Sequence, residues 1–167
     1  MTDQLENLSE EDFGFEDIYI EGELNSEDLL DKVILYAFDQ AQQKLEQGGF
    51  VEPFTILIEG DNLKIENHTG EDAAECFESA RLSIYAMDKL INAYVFCYDG
   101  YVELDDETRD ALIVEYASKG DESGEALALL YTEDGDSLTF DDNLYSLGEA
   151  PTFFGSKKIT SDQLEEV

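Results

Sequence analysis

Residues 69–98 read TGEDAAECFESARLSIYAMDKLINAYVFCY. Ala73, Phe77, Ala80, Ile84, Met87 and Ile91 step by four and three, which predicts a helix with one apolar stripe. Thr69-Gly70-Glu71-Asp72 ahead of it resembles a capping box, with Asp in place of Glu or Gln. A dimeric coiled coil shares this spacing, but under three heptads of it point to a core face. Ala93 to Tyr98 is then apolar throughout, as in a strand covered on both faces.

The segments on either side complete an α+β pattern. Upstream, Leu30, Ile34, Ala37, Ala41 and Leu45, widened by Val33 and Phe38, predict a first helix. Asn25 or Ser26 would cap it, and Gly48-Gly49 would stop it. Pro53–Ile58 and Leu63–Glu66, joined by Gly60-Asp61-Asn62, predict a hairpin. Downstream, Asp99-Gly100 is the strongest short hairpin signal, with Tyr101–Leu104 as its return strand. Ala111–Tyr116 reads as a further strand. Lys119–Gly124 reads as a turn and Ala126–Tyr131 as a strand, with helix open for the last. Leu138–Phe140 and Phe153-Phe154 are weaker edge candidates.

Short connections between strands mean antiparallel neighbours, and two amphipathic helices need a sheet to cover. The expected architecture is α/β of the α+β type, a largely antiparallel sheet of about five strands with two helices on one covered face, in the order αββαβββ. Its boundaries are an acidic extension over 1–24, one domain over 25–155 and a polar tail over 156–167. Residues 1–12 read as disordered. Phe13, Phe15, Ile18, Tyr19, Ile20 and Leu24 interleave with Glu16, Asp17, Glu21 and Glu23, so that stretch is an edge strand, a mobile segment that docks or, in the favoured reading, a segment packed on the domain.

Composition bounds the function. The chain has 167 residues, enough to bury roughly 68–70% of its unfolded surface. Its 42 Asp and Glu against 9 Lys and Arg give a formal net charge of −33. So few cations argue against nucleic-acid binding, and anionic membranes would repel the chain. A basic protein is the partner that the charge permits. The N-terminus lacks a cationic and apolar leader, and no apolar run reaches the ~18 residues of a membrane span, so the expected place is the cytoplasm. Cys76 and Cys97 read as two reduced core thiols.

Tyr98-Asp99-Gly100-Tyr101-Val102, followed by Arg109–Glu115, resembles a segment shared by a set of uncharacterised bacterial proteins. That resemblance implies a bacterial source and no particular activity. The element order also resembles the ββαβββ cores of roadblock and longin-like modules, which bears on fold and not on function.

No chemistry stands out. His68, the single histidine, is expected as an exposed loop imidazole beside the Thr69 cap, and a dyad with Cys76 lacks an orienter. Asp105-Asp106-Glu107, Glu133-Asp134-Gly135-Asp136 and Asp141-Asp142-Asn143 each offer oxygen ligands, yet none fits an EF-hand spacing. No phosphate-cradling glycine loop is present. No catalytic, cofactor-binding or metal residue is therefore assigned, and no cofactor is expected. Three readings of the charge remain. In the favoured one the protein is a non-catalytic interaction protein for a basic partner, of the immunity or nucleic-acid-mimic type. Its binding region would be the acidic loops of 99–142, with Tyr98, Tyr101 or Tyr131 as anchors. In the second reading the acidity only solvates the chain. In the third, an enzyme uses an unrecognised carboxylate site.

Overall fold

The structure is a computed structural model that describes residues 26–154. The expected extension 1–24, the cap Asn25 and the tail 156–167 lie outside the described residues. Helix α1 spans Ser26–Glu46 and α2 spans Ala73–Ala86. The strands are β1 Phe54–Glu59, β2 Asn62–Asn67, β3 Ala93–Leu104, β4 Glu107–Ser118, β5 Gly124–Asp134, β6 Ser137–Phe140 and β7 Tyr145–Ala150.

All strand pairs are antiparallel, in the spatial order β2-β1-β3-β4-β5-β6, with β7 also on β5. Strands β6 and β7 lie end to end along one side of β5. β6 takes Tyr131 to Asp134 and β7 takes Gly124 to Ala128. The count is seven strands rather than about five, and the described order is αββαβββββ. β7 escaped the sequence reading because Tyr145 to Glu149 are all exposed, and an edge strand without a buried face has no alternation to detect.

The long strand β3 explains how both helices find a surface. Val95 and Cys97 join the core under α1, while Tyr94 and Phe96 join the core under α2. Successive side chains point to opposite faces, so a strand that is apolar throughout makes two apolar faces. The helices consequently cover opposite faces, not the single face expected. Helix α1 lays Leu30, Val33, Ile34, Ala37 and Ala41 on Ile56, Val95, Leu112 and Val114. Helix α2 lays Ala80 and Ile84 on Leu57, Tyr94 and Phe96.

Local chemistry sets the helix ends. Gly48 has φ 83, and the amides of Gly48 and Gly49 donate to the carbonyls of Leu45 and Lys44. That pair of bonds is a Schellman motif, and glycine suits its left-handed residue. Helix α2 begins three residues later than expected. Asp72, not Thr69, is the N-cap, and its carboxylate accepts the Glu75 amide at 2.9 Å. The stripe shortens accordingly: Ala73 is exposed, and Ile91 is buried beyond the helix end.

The hairpin turn expected at Asp99-Gly100 is not there. β3 runs straight through both residues, with Asp99 opposite Leu112 and Gly100 opposite Ala111. The chain reverses at Asp105-Asp106, which adopt φ 53 and 68. Aspartate tolerates this left-handed conformation better than most residues, and two positive φ values match the twist of a tight hairpin. Gly100 serves the packing instead, because a Cβ there would lie 3.3 Å from the Ile113 Cδ1. Phe153-Phe154 is no strand. The Phe153 ring stacks on Tyr94 at 5.3 Å, and its amide donates to the Tyr94 hydroxyl at 2.9 Å. These contacts close the α2-side core.

Candidate functional site

Two polar assemblies stand out against the apolar layers. The first joins β1, the end of β2 and α2. Thr55 lies on β1 opposite Phe96, on the α2 face of the sheet, and is fully buried. His68 follows β2, its amide held by the Pro53 carbonyl at 2.8 Å. One imidazole nitrogen, Nε2, lies 2.9 Å from Thr55 Oγ1. The other, Nδ1, lies 3.0 Å from Ser79 Oγ on α2. One turn further along α2, the Ser83 hydroxyl donates to the Glu66 carboxylate.

His68 is thus 3% exposed, not the exposed loop imidazole expected from its position between two elements. Burial lowers its pKa from the ordinary value, outweighing the nearby carboxylates of Glu66 and Glu52. A neutral imidazole donates from one nitrogen and accepts at the other, and hydroxyls can serve either role. Both nitrogens are occupied by Thr55 and Ser79, which leaves none for Cys76. Cys76 and Cys97 are free and buried, and burial pushes the Cys97 thiol far above its usual range. The cluster pins α2 to the β1–β2 hairpin.

The second assembly lies across β3, β4 and β5. On the α2 side, Tyr98 donates its hydroxyl to Glu115 Oε2 at 2.6 Å. On the α1 side, Tyr131 donates to Asp99 Oδ1 at 2.7 Å. The first pair joins the neighbouring strands β3 and β4, and the second reaches from β5 across β4 to β3. Burial raises the pKa of Glu115, although the Tyr98 hydrogen bond opposes the shift. The other carboxylate oxygen, Oε1, is buried with no hydrogen-bond partner among the described residues. Desolvation likewise raises Asp99, with repulsion from Asp110 and Glu133 adding to it. Both tyrosine hydroxyls are pushed far above their ordinary range, by burial first and then by the facing acids, so they remain donors at neutral pH.

The acid clusters take their places around this assembly. β3–β4 and β5–β6 reverse at the same end of the sheet, since Asp110 faces Tyr131. Asp105-Asp106-Glu107 and Glu133–Asp136 therefore share that end. Asp141 and Asp142 lie at the break between β6 and β7, where a shallow groove of about 550 Å³ is also lined by Thr139, Phe140, Asn143 and Tyr145. Among the described residues, no group of three or more His, Cys, Asp or Glu is arranged to hold a metal ion. Of the three anchor tyrosines, Tyr98 and Tyr131 are tied to carboxylates. Tyr101 is 66% exposed.

Sequence reading missed Glu115, Thr55 and Ser79. A signal existed for Glu115, the lone acid inside the apolar run Ala111–Tyr116. Its α2-facing position follows once β4 is known to be covered on both sides. Thr55 and Ser79 carry no such mark, because hydroxyl residues are common on strands and helices alike. No known protein family, no curated protein and no solved structure matches this chain. No described helix is long and apolar enough to cross a membrane.

Proposed function

We propose that this chain is a non-catalytic interaction protein that binds a basic protein partner through the acidic half of its sheet. An immunity protein, or a mimic that occupies a nucleic-acid site, works in this way. One observation carries the reading. No Lys or Arg occurs between Lys119 and Lys157, a stretch with nine Asp and Glu that contains β5, β6 and β7. The remaining described cations sit on the helices, on β2 and β4, and in the connections after α2 and β4. Among the described residues, the side of the sheet built from β5, β6 and β7 thus carries acids and no Lys or Arg. Complementary charge of this kind speeds association and rejects like-charged partners. Solvent-facing Tyr101 and Tyr145 supply apolar area next to the carboxylates.

A column of the immobilised protein, loaded with lysate from its own host and eluted with a salt gradient, tests the reading. The expected result is one stoichiometric basic protein retained beyond about 0.5 M salt, where the Debye length is only ~4 Å. A smear of many basic proteins leaving at low salt would overturn it and leave the acidity as a solvating surface.

A further inference from the structure

The two edges of the sheet differ. β2 forms one edge and carries Lys64 at its centre, a residue type that discourages edge-to-edge pairing. At the other side β7 pairs with β5 alone among the described strands. Every residue from Tyr145 to Glu149 is exposed, with Tyr145 at 44% and Leu147 at 38%. A bulge at Leu147 and Gly148 twists this strand, Gly148 taking φ 95. None of the described residues from 137 to 154 is a Lys or Arg. Its flanks are Asp141 and Asp142 at one end and Glu149 at the other.

From this asymmetry we propose that the β7 edge is the docking surface, and that the partner adds an extended segment bearing Lys or Arg as a strand beside it. The inference rests on the basic-partner reading above and gives that partner a conformation. Main-chain hydrogen bonds to the open side of β7 supply affinity, and side chains at every second position supply specificity. The apolar surface of Tyr145 and Leu147 accepts aliphatic positions. The groove at the β6–β7 break is lined by Phe140 and Tyr145 together with Asp141 and Asp142, residue types that suit an ammonium or guanidinium. The charge also disfavours a second copy of this chain, since each copy carries a formal −33.

The test uses the full-length protein with two synthetic peptides, Lys-Val-Lys-Val-Lys-Val and Glu-Val-Glu-Val-Glu-Val. Binding is read by calorimetry and by amide hydrogen exchange. The lysine peptide is expected to bind and slow exchange within residues 145–149, and the glutamate peptide to do neither. Tyr145→Lys with Leu147→Lys should weaken the lysine peptide about tenfold or more. Leu82→Lys with Leu90→Lys, at exposed positions in α2 and just beyond it, adds the same charge away from the edge and should change binding less than about twofold. Lysine-peptide binding without protection of 145–149, or an equal loss in both variant pairs, overturns the edge and leaves the basic-partner reading intact. If neither peptide binds, strand addition falls, and the lysate column alone decides the broader reading. Protection, in the free protein, of the amides of 145–149 that point away from β5 would show the edge already filled. If that protection grew with concentration, the occupant would be a second copy, and otherwise the chain itself. Either result overturns the proposal.

Discussion

The hydroxyl–imidazole cluster and the tyrosine–carboxylate pairs are both polar groups set into an apolar sheet, yet they are finished differently. Around His68 each ring nitrogen has a hydroxyl partner, and the group is held neutral. Around Glu115 one carboxylate oxygen has a partner and the other has none among the described residues, and the charge is resisted. A satisfied buried network holds elements together, whereas a partly satisfied one costs stability. The difference assigns α2 and the β1–β2 hairpin to structure, and leaves the β3–β5 side as the place where the fold tolerates unfavourable charge.

The largest expected effect tests the first half of that contrast. His68→Ala removes a buried ring and strands two hydroxyls, so stability in urea should fall by about 3 kcal/mol. A loss under about 0.5 kcal/mol would mean that the cluster fastens nothing. Next in size is Glu115→Gln, with the opposite sign. The amide oxygen can still accept from Tyr98 while the resisted charge is gone, so stability should rise by about 1 kcal/mol at neutral pH. Destabilisation of similar size would mean that Glu115 is as well accommodated as His68 and would dissolve the comparison. Ser83→Ala, which deletes the donor to Glu66 at the periphery of the cluster, should cost only about 0.5–1 kcal/mol. A larger loss would move the mechanical centre of the cluster from the imidazole to this helix turn.

The pH dependence separates the two regions by sign. His68 has a folded pKa below 6.5, so its contribution is complete above that pH. As pH falls from 6.5 through the lowered folded value, the unfolded chain takes the proton first and stability is lost. Glu115 has a folded pKa above 4.5, so its contribution is complete below 4.5. As pH rises through the raised folded value, the unfolded chain gives up its proton first and stability is lost. Asp99 acts in the same direction from 3.8, with less weight because it is exposed. Unfolding midpoints at constant salt should therefore decline less with rising pH in Glu115→Gln than in the parent chain. In His68→Ala the loss on acidification below 6.5 should disappear. Parallel curves for parent and variants would overturn the assigned signs.

Sequence alone determined the elements whose pattern repeats within a few residues. The stripe of α1, the Gly48-Gly49 stop, the β1–β2 hairpin with its turn at Gly60-Asp61, and the apolar run of β3 are all local signals. Tertiary structure decided whatever depends on partners distant in the chain. Asp99-Gly100 has the composition of a turn, but Leu112 and Ala111 pair with it and draw it into a strand. His68 looks like a loop residue until Thr55 and Ser79, 13 and 11 positions away, enclose it. β7 exists because β5 offers it a free side, not because its residues favour a strand. The acidity was legible as a number, and among the described residues the fold gathers β5, β6 and β7, which carry no Lys or Arg, along one side of the sheet. Neighbouring residues record local propensity directly, whereas burial and charge placement depend on which strands meet, and only the assembled sheet settles that.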